Sequence, residues 1–160
     1  MNTSTSNRLG FNSEESNAII GGLNAVLANY QMHYQKLRNF HWNVVGDDFF
    51  DLHENFEVYY TKAVEHIDEI AERIRIFGGT PLSNFSDYLE HASIAEASPN
   101  TESREMASEI LADFEEMLGY FVEATEIAAN NGDTGTVTLL QEYTKDMEKD
   151  HWMLRSWLGK

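Results

Sequence analysis

The chain contains no cysteine, which removes disulfides, thiolate metal sites and cysteine nucleophiles together. His, Asp and Glu are then the side chains left for binding a metal or moving a proton. Only two prolines occur, Pro81 and Pro99, so strong helix breakers are confined to one stretch. No run of ~18 apolar residues is present, and no basic segment leads into an apolar one at the start. Neither a membrane span nor export is expected, and the sequence reads as cytosolic. Basic residues are scarce too: 11 Lys and Arg stand against 27 Asp and Glu, for a formal net charge of -16. Such a charge repels phosphate backbones and attracts cations, although it is equally the mark of an ordinary acidic surface.

What is present is long helical periodicity. A chain of 160 residues suits one domain with a real core. The first segment runs from about Ser13 to Trp42 behind a capping-type Asn12 or Ser13, with Ile19, Leu23, Val26, Tyr30, Tyr34 and Leu37 on one stripe that His41 continues. The second starts at Asp47 as N-cap, carries Phe56, Tyr60, Ala63, Ile67, Ile70 and Ile74, and stops at Gly78 and Gly79. A third, from about Thr101 to Asn130, carries Met106, Ile110, Phe114, Met117, Phe121 and Val122. The fourth, from about Thr134 to Leu158, carries Leu140, Tyr143, Met147, Leu154 and Trp157.

Helices of this length are ~40 Å long, which suits a bundle. The first and third connections are short and force antiparallel neighbours. The second is long enough to travel the length of the bundle and make the second and third long helices parallel. The expectation is an all-α four-helix bundle over residues 13–160, preceded by a flexible polar tail over residues 1–12. SNFSDYLEHA in the crossover is expected to form a short helix that packs Phe85 and Leu89 on the bundle.

The second helix carries the informative polar residues. At 100° per position, His53, Glu57, Asp68 and Glu72 fall between roughly 60° and 160° from the apolar stripe, on one flank. The His53/Glu57 and Asp68/Glu72 pairs are centred ~22 Å apart along the axis, too far to chelate one ion together. Two copies packed antiparallel about a two-fold axis near Lys62 or Ala63 would bring the first pair of each onto the second pair of the other. His41 could add a second nitrogen. Imidazole and carboxylate without thiolate suit Fe(II), Mn(II) or Zn(II). Each residue also has a plainer reading: His41 as a hydrogen-bonded core histidine, His53 with Glu57 as an ordinary helix pair, Asp68 and Glu72 as a solvated face, and Trp42 as packing at the helix end.

HWNVVGDDFFDLHENFE at 41–57, DEIAERIRIFGGTP at 68–81 and KDHWMLRSWLGK at the C-terminus resemble the Dps family of mini-ferritins. The resemblance implies a ferritin-like four-helix bundle with a short helix in its crossover, assembled as a hollow dodecamer. It further implies a ferroxidase centre at the two-fold interface, with ligands His41, His53 and Glu57 from one subunit and Asp68 and Glu72 from its neighbour. Iron would be oxidised there, with hydrogen peroxide as oxidant, and stored as ferric mineral, protecting the cell from oxidative damage.

Three features depart from the family pattern. Glu57 stands where Asp is common. The N-terminal tail has only Arg8 as a basic residue, so DNA binding is not expected. Around the three-fold pore the chain offers Asp133 among Thr134, Thr136 and Thr138, with Glu142 and Asp146 further on. A larger ferritin, with its di-iron site inside one bundle, would need Glu-x-x-His from two helices, and only Glu148 with His151 is present. A non-catalytic metal-binding cage, or a DNA-compacting structural protein, is the alternative of another class.

Overall fold

The computed structural model describes residues 9–160. Five helices make up the described chain: α1 Ser13–Asn43, α2 Phe49–Ile76, α3 Phe85–His91, α4 Ser103–Asn130 and α5 Thr134–Leu158. Most of the expected N-terminal tail lies outside the described residues. Where the description begins, Phe11 already rests its ring on Phe77, 5.3 Å between centroids.

The helix ends follow from local chemistry. Asn12 starts α1 with a capping box: its side-chain oxygen accepts from the Glu14 and Glu15 amides, and Glu15 returns a bond to the Asn12 amide. At the far end of α2, Gly78 adopts φ +81° and lets the Gly79 amide turn back onto the Ile74 carbonyl at 3.1 Å. The start of α2 differs from expectation. Asp48, not Asp47, is the N-cap, and its side chain makes no capping bond. Its carboxylate instead accepts from the Ser103 hydroxyl at 3.0 Å, tying the start of α2 to the start of α4.

The long helices are 31, 28, 28 and 25 residues, and the most extensive helix pairings are α1 with α2, α4 with α5 and α1 with α4. On the α1–α4 seam, a Cβ added at Gly22 would stand 3.3 Å from Ile127 and 3.6 Å from Ala124, so small residues there let the backbones come together. Leu23, Leu27, Tyr30, Leu37, Phe40, Phe56, Ile70, Ile74, Phe114 and Phe121 fill the centre. Between α2 and α5 the bridges are polar: Lys62 to Asp150, Arg73 to Asp133 and Thr136, and Tyr143 to Glu69.

Part of the expected apolar pattern is displaced. Leu52 and Tyr59 join the buried line of α2, while Tyr60 and Ile67 are only half-buried on its flank. Val122 on α4 is 54% exposed. In the crossover, Phe85 (83% exposed) and Leu89 (55%) are left largely uncovered rather than packed on the bundle, contrary to expectation. Tyr88 turns inward instead and donates its hydroxyl to the Leu82 carbonyl. The crossover is fastened mainly by asparagines of α1. Asn24 accepts from the Leu82 amide, Asn29 from the Ser93 and Ile94 amides, and Asn39 donates to the Ala97 carbonyl.

Candidate metal centre

His41 lies in the last turn of α1 and is buried; His53 and Glu57 lie in the first turns of α2, half-buried and exposed. The short connection between the helices brings the three together. Each offers a ligand atom, and these atoms lie within 4.8 Å of one another. The two imidazoles stack nearly parallel, 3.8 Å between centroids at 17°.

Their hydrogen bonds are reciprocal. His41 Nδ1 sits 2.7 Å from the His53 carbonyl, and His53 Nδ1 sits 2.8 Å from the His41 carbonyl. A carbonyl only accepts, so each Nδ1 carries the proton and donates. In the neutral imidazole the lone pair then belongs to Nε2. Fixing the tautomer through the other ring nitrogen is how metal-binding histidines are generally oriented. Two neutral nitrogens and a carboxylate with no thiolate suit a divalent first-row ion such as Fe(II).

Asp68 and Glu72 are not part of this group. Both are exposed further along α2 on the same flank as Glu57, and within the chain they stay apart from the histidines. The half-buried residues Phe49 and Tyr60 complete the surroundings: Phe49 stacks on His53 at 4.8 Å, and Tyr60 meets His41 at 5.3 Å and 85°. Neither was singled out by sequence as part of the site, though a signal existed. Phe49 stands one helical turn before His53 and Tyr60 two turns after, on the same line of α2. Trp42, read as packing, is 58% exposed and lies under the Arg38 guanidinium.

The bundle interior holds a second polar cluster, differently disposed. The Tyr30 hydroxyl and His66 Nδ1 share a hydrogen bond at 2.7 Å, and burial holds the His66 imidazole below its ordinary range. Tyr143, its phenol pushed up by burial and by its bond to Glu69, stacks on His66. Asp150 is taken by Lys62, and Asp113 by Lys36 and His33. The space left between Tyr30, His33, Lys62, His66, Tyr143 and Asp150 is about 20 Å³, and the Asp150 carboxylate on its wall is already paired with Lys62. Glu148 is exposed, and His151 donates to Glu115 on the surface. Asp133, weighed as a pore acid, is buried: it caps α5 at the Thr136 amide and pairs with Arg73.

Comparison with known proteins agrees with this architecture. The Ferritin family, described as a ferritin-like domain, matches over residues 20–160. The DNA protection during starvation protein 2 of Bacillus anthracis is 43% identical over 142 residues, covering 89% of this chain and 97% of that one. Among solved structures, the Dps protein of Vibrio cholerae O1, described as a member of a broad superfamily of ferritin-like diiron-carboxylate proteins, superposes with TM-score 0.94 at 37% identity, covering 99% of both chains. The Dps protein of Bacillus brevis gives 0.89 at 39% identity, covering 92% of this chain and 99% of the other. A ferritin-like bundle matched end to end by these relatives places the chain in the Dps family of ferritin-like proteins.

Proposed function

We propose that the protein is an iron-storage mini-ferritin that oxidises Fe(II) at centres shared between two subunits. The reading is carried by the His41/His53 pair, whose Nδ1 protons are committed to each other's carbonyls so that the Nε2 lone pairs are left for a cation, in a group that Glu57 joins within 4.8 Å. His41, His53 and Glu57 of one subunit would hold iron as substrate together with Asp68 and Glu72 of a neighbour.

Several exposed apolar groups support a partner on this face. Val64 is 45% exposed on the line of α2 that runs between Glu57 and Asp68. Phe85 and Leu89, with Met32, Tyr34 and Tyr88, border an open cleft of about 490 Å³ between α1 and α3. An antiparallel pairing of two α2 helices would cover Val64 and close two equal sites. Membership of the Dps family supports, as part of this reading, assembly into a dodecameric cage enclosing ferric mineral.

Two Fe(II) ions held together can each give one electron to a single hydrogen peroxide, yielding two Fe(III) and two hydroxide ions. The chain's residues supply the neutral nitrogens and carboxylates that favour the higher charge of the product. With a net charge of -16 and few basic residues near its ends, the assembled protein is not a duplex-DNA binder at physiological salt.

The decisive experiment is stopped-flow oxidation of anaerobic Fe(II) by peroxide or oxygen, using wild type, His53→Ala and Asp68→Ala. Both variants should assemble and lose the rapid phase. Wild-type rates in both would remove the basis for the centre.

A further inference from the structure

We propose that Phe49 is a positioning residue for the metal centre, its ring holding the His53 imidazole at the angle from which Nε2 meets the same cation as His41 and Glu57. The proposal rests on the reading of those three residues as the centre. Among the described residues, His53 has a single ring hydrogen bond, from Nδ1 to the His41 carbonyl. One such bond fixes the tautomer but leaves the ring free to rock about its Cβ–Cγ bond. What blocks that motion is contact on its faces. His41 lies 3.8 Å away at 17° and Phe49 4.8 Å away at 21°. Two rings cannot occupy one face of an imidazole, so His53 is sandwiched between them.

Phe49 is itself well placed to act as a wall. It is the first residue of α2, its amide donates to the Gly46 carbonyl at 3.2 Å, and the preceding Asp48 is tied to Ser103 on α4. Its position is therefore set from a second helix, independently of any metal. The plainer role is apolar filling, since Phe49 also packs against the core. The two roles make different demands. Filling needs volume, whereas holding an imidazole in plane needs a flat ring.

The test uses the full-length assembled protein stripped of metal, titrated with Co(II) in the absence of oxidant against a competing chelator. Co(II) reports both affinity and, through its visible ligand-field bands, geometry. Phe49→Leu keeps most of the volume and loses the flat face; Phe49→Tyr keeps both. Phe49→Leu should bind Co(II) about tenfold more weakly, with changed bands, at a nearly unchanged melting temperature. Phe49→Tyr should restore wild-type binding. Phe49→Met replaces the Leu variant if the latter does not assemble. Wild-type Co(II) binding in the flat-face-deficient variant, or a Tyr variant as weak as it, overturns the positioning role. His53→Ala is the control: if it too binds like wild type, the centre itself is misassigned, a failure distinct from that of Phe49 alone.

Discussion

Replacing Asp113 by Ala removes the partner of two buried side chains at once. Lys36 and Asp113 have side-chain exposures of only 7% and 6%, and their bond is 2.7 Å. His33, on the same face of α1, donates Nδ1–H to the other carboxylate oxygen at 3.1 Å. Without Asp113 the Lys36 ammonium is stranded in the α1–α4 seam. The carboxyl remaining nearby is Glu109, half-buried and itself raised by desolvation. Breaking a buried pair from one side costs about 3–5 kcal/mol. For a chain of this length each kcal/mol corresponds to about 2–4 °C, so Asp113→Ala should melt about 6–20 °C lower.

The companion variant, Lys36→Met with Asp113→Leu, removes both charges and fills the seam with apolar volume. It should recover more than half of the loss, the remainder reflecting the imidazole proton of His33 left without its acceptor. Thermal unfolding followed by circular dichroism, with assembly checked by light scattering, measures both. A single variant melting within about 2 °C of wild type would refute the stranded-charge reasoning. So would a double variant no better than the single one.

Other outcomes follow from the same contacts. Asn29→Ala should leave the Ser93 and Ile94 amides without their acceptor, and hydrogen exchange at these two amides should quicken well before exchange in α1 does. Cages reassembled from a mixture of His53→Ala and Glu72→Ala subunits should regain part of the Fe(II) oxidation rate that each parent lacks; activity no higher than the parents', with subunit exchange demonstrated, rules out a shared centre. In a gel shift at ~150 mM salt with chelator present, the protein should not retard duplex DNA, and a tight complex would show a local basic patch outweighing the net charge.

The helices were legible because long apolar periods end at strong punctuation. NNGDTG separates α4 from α5, and Gly78, Gly79 and Pro81 close α2. The axial offset between His53/Glu57 and Asp68/Glu72 was legible as well, since helical rise converts numbering to distance. The crossover was not. Phe85 and Leu89 look like the packing face of a short helix, but seven residues carry too little periodicity to tell an inward face from one left for a partner. Its attachment runs through Asn24, Asn29 and Asn39, whose amides read the crossover backbone, a contact that apolar patterning does not register. The buried charges have a readable sign in the helical spacing. His33 stands three residues after Tyr30 and four before Leu37, and Asp113 stands likewise between Ile110 and Met117, so both occupy core positions.

The exchange of hydrogen bonds between His41 and His53 makes the connection from α1 to α2 a ruler. Each ring is aimed by the backbone carbonyl of the other histidine, so the two orientations are not independent variables. A residue inserted or deleted between Val44 and Asp48 would shift α2 against α1 by one position, and both imidazoles would lose their bearings together. No single compensating side chain could restore one without the other. The length of that loop is thus part of the geometry of the proposed centre, although it contributes no residue to the His41, His53 and Glu57 group.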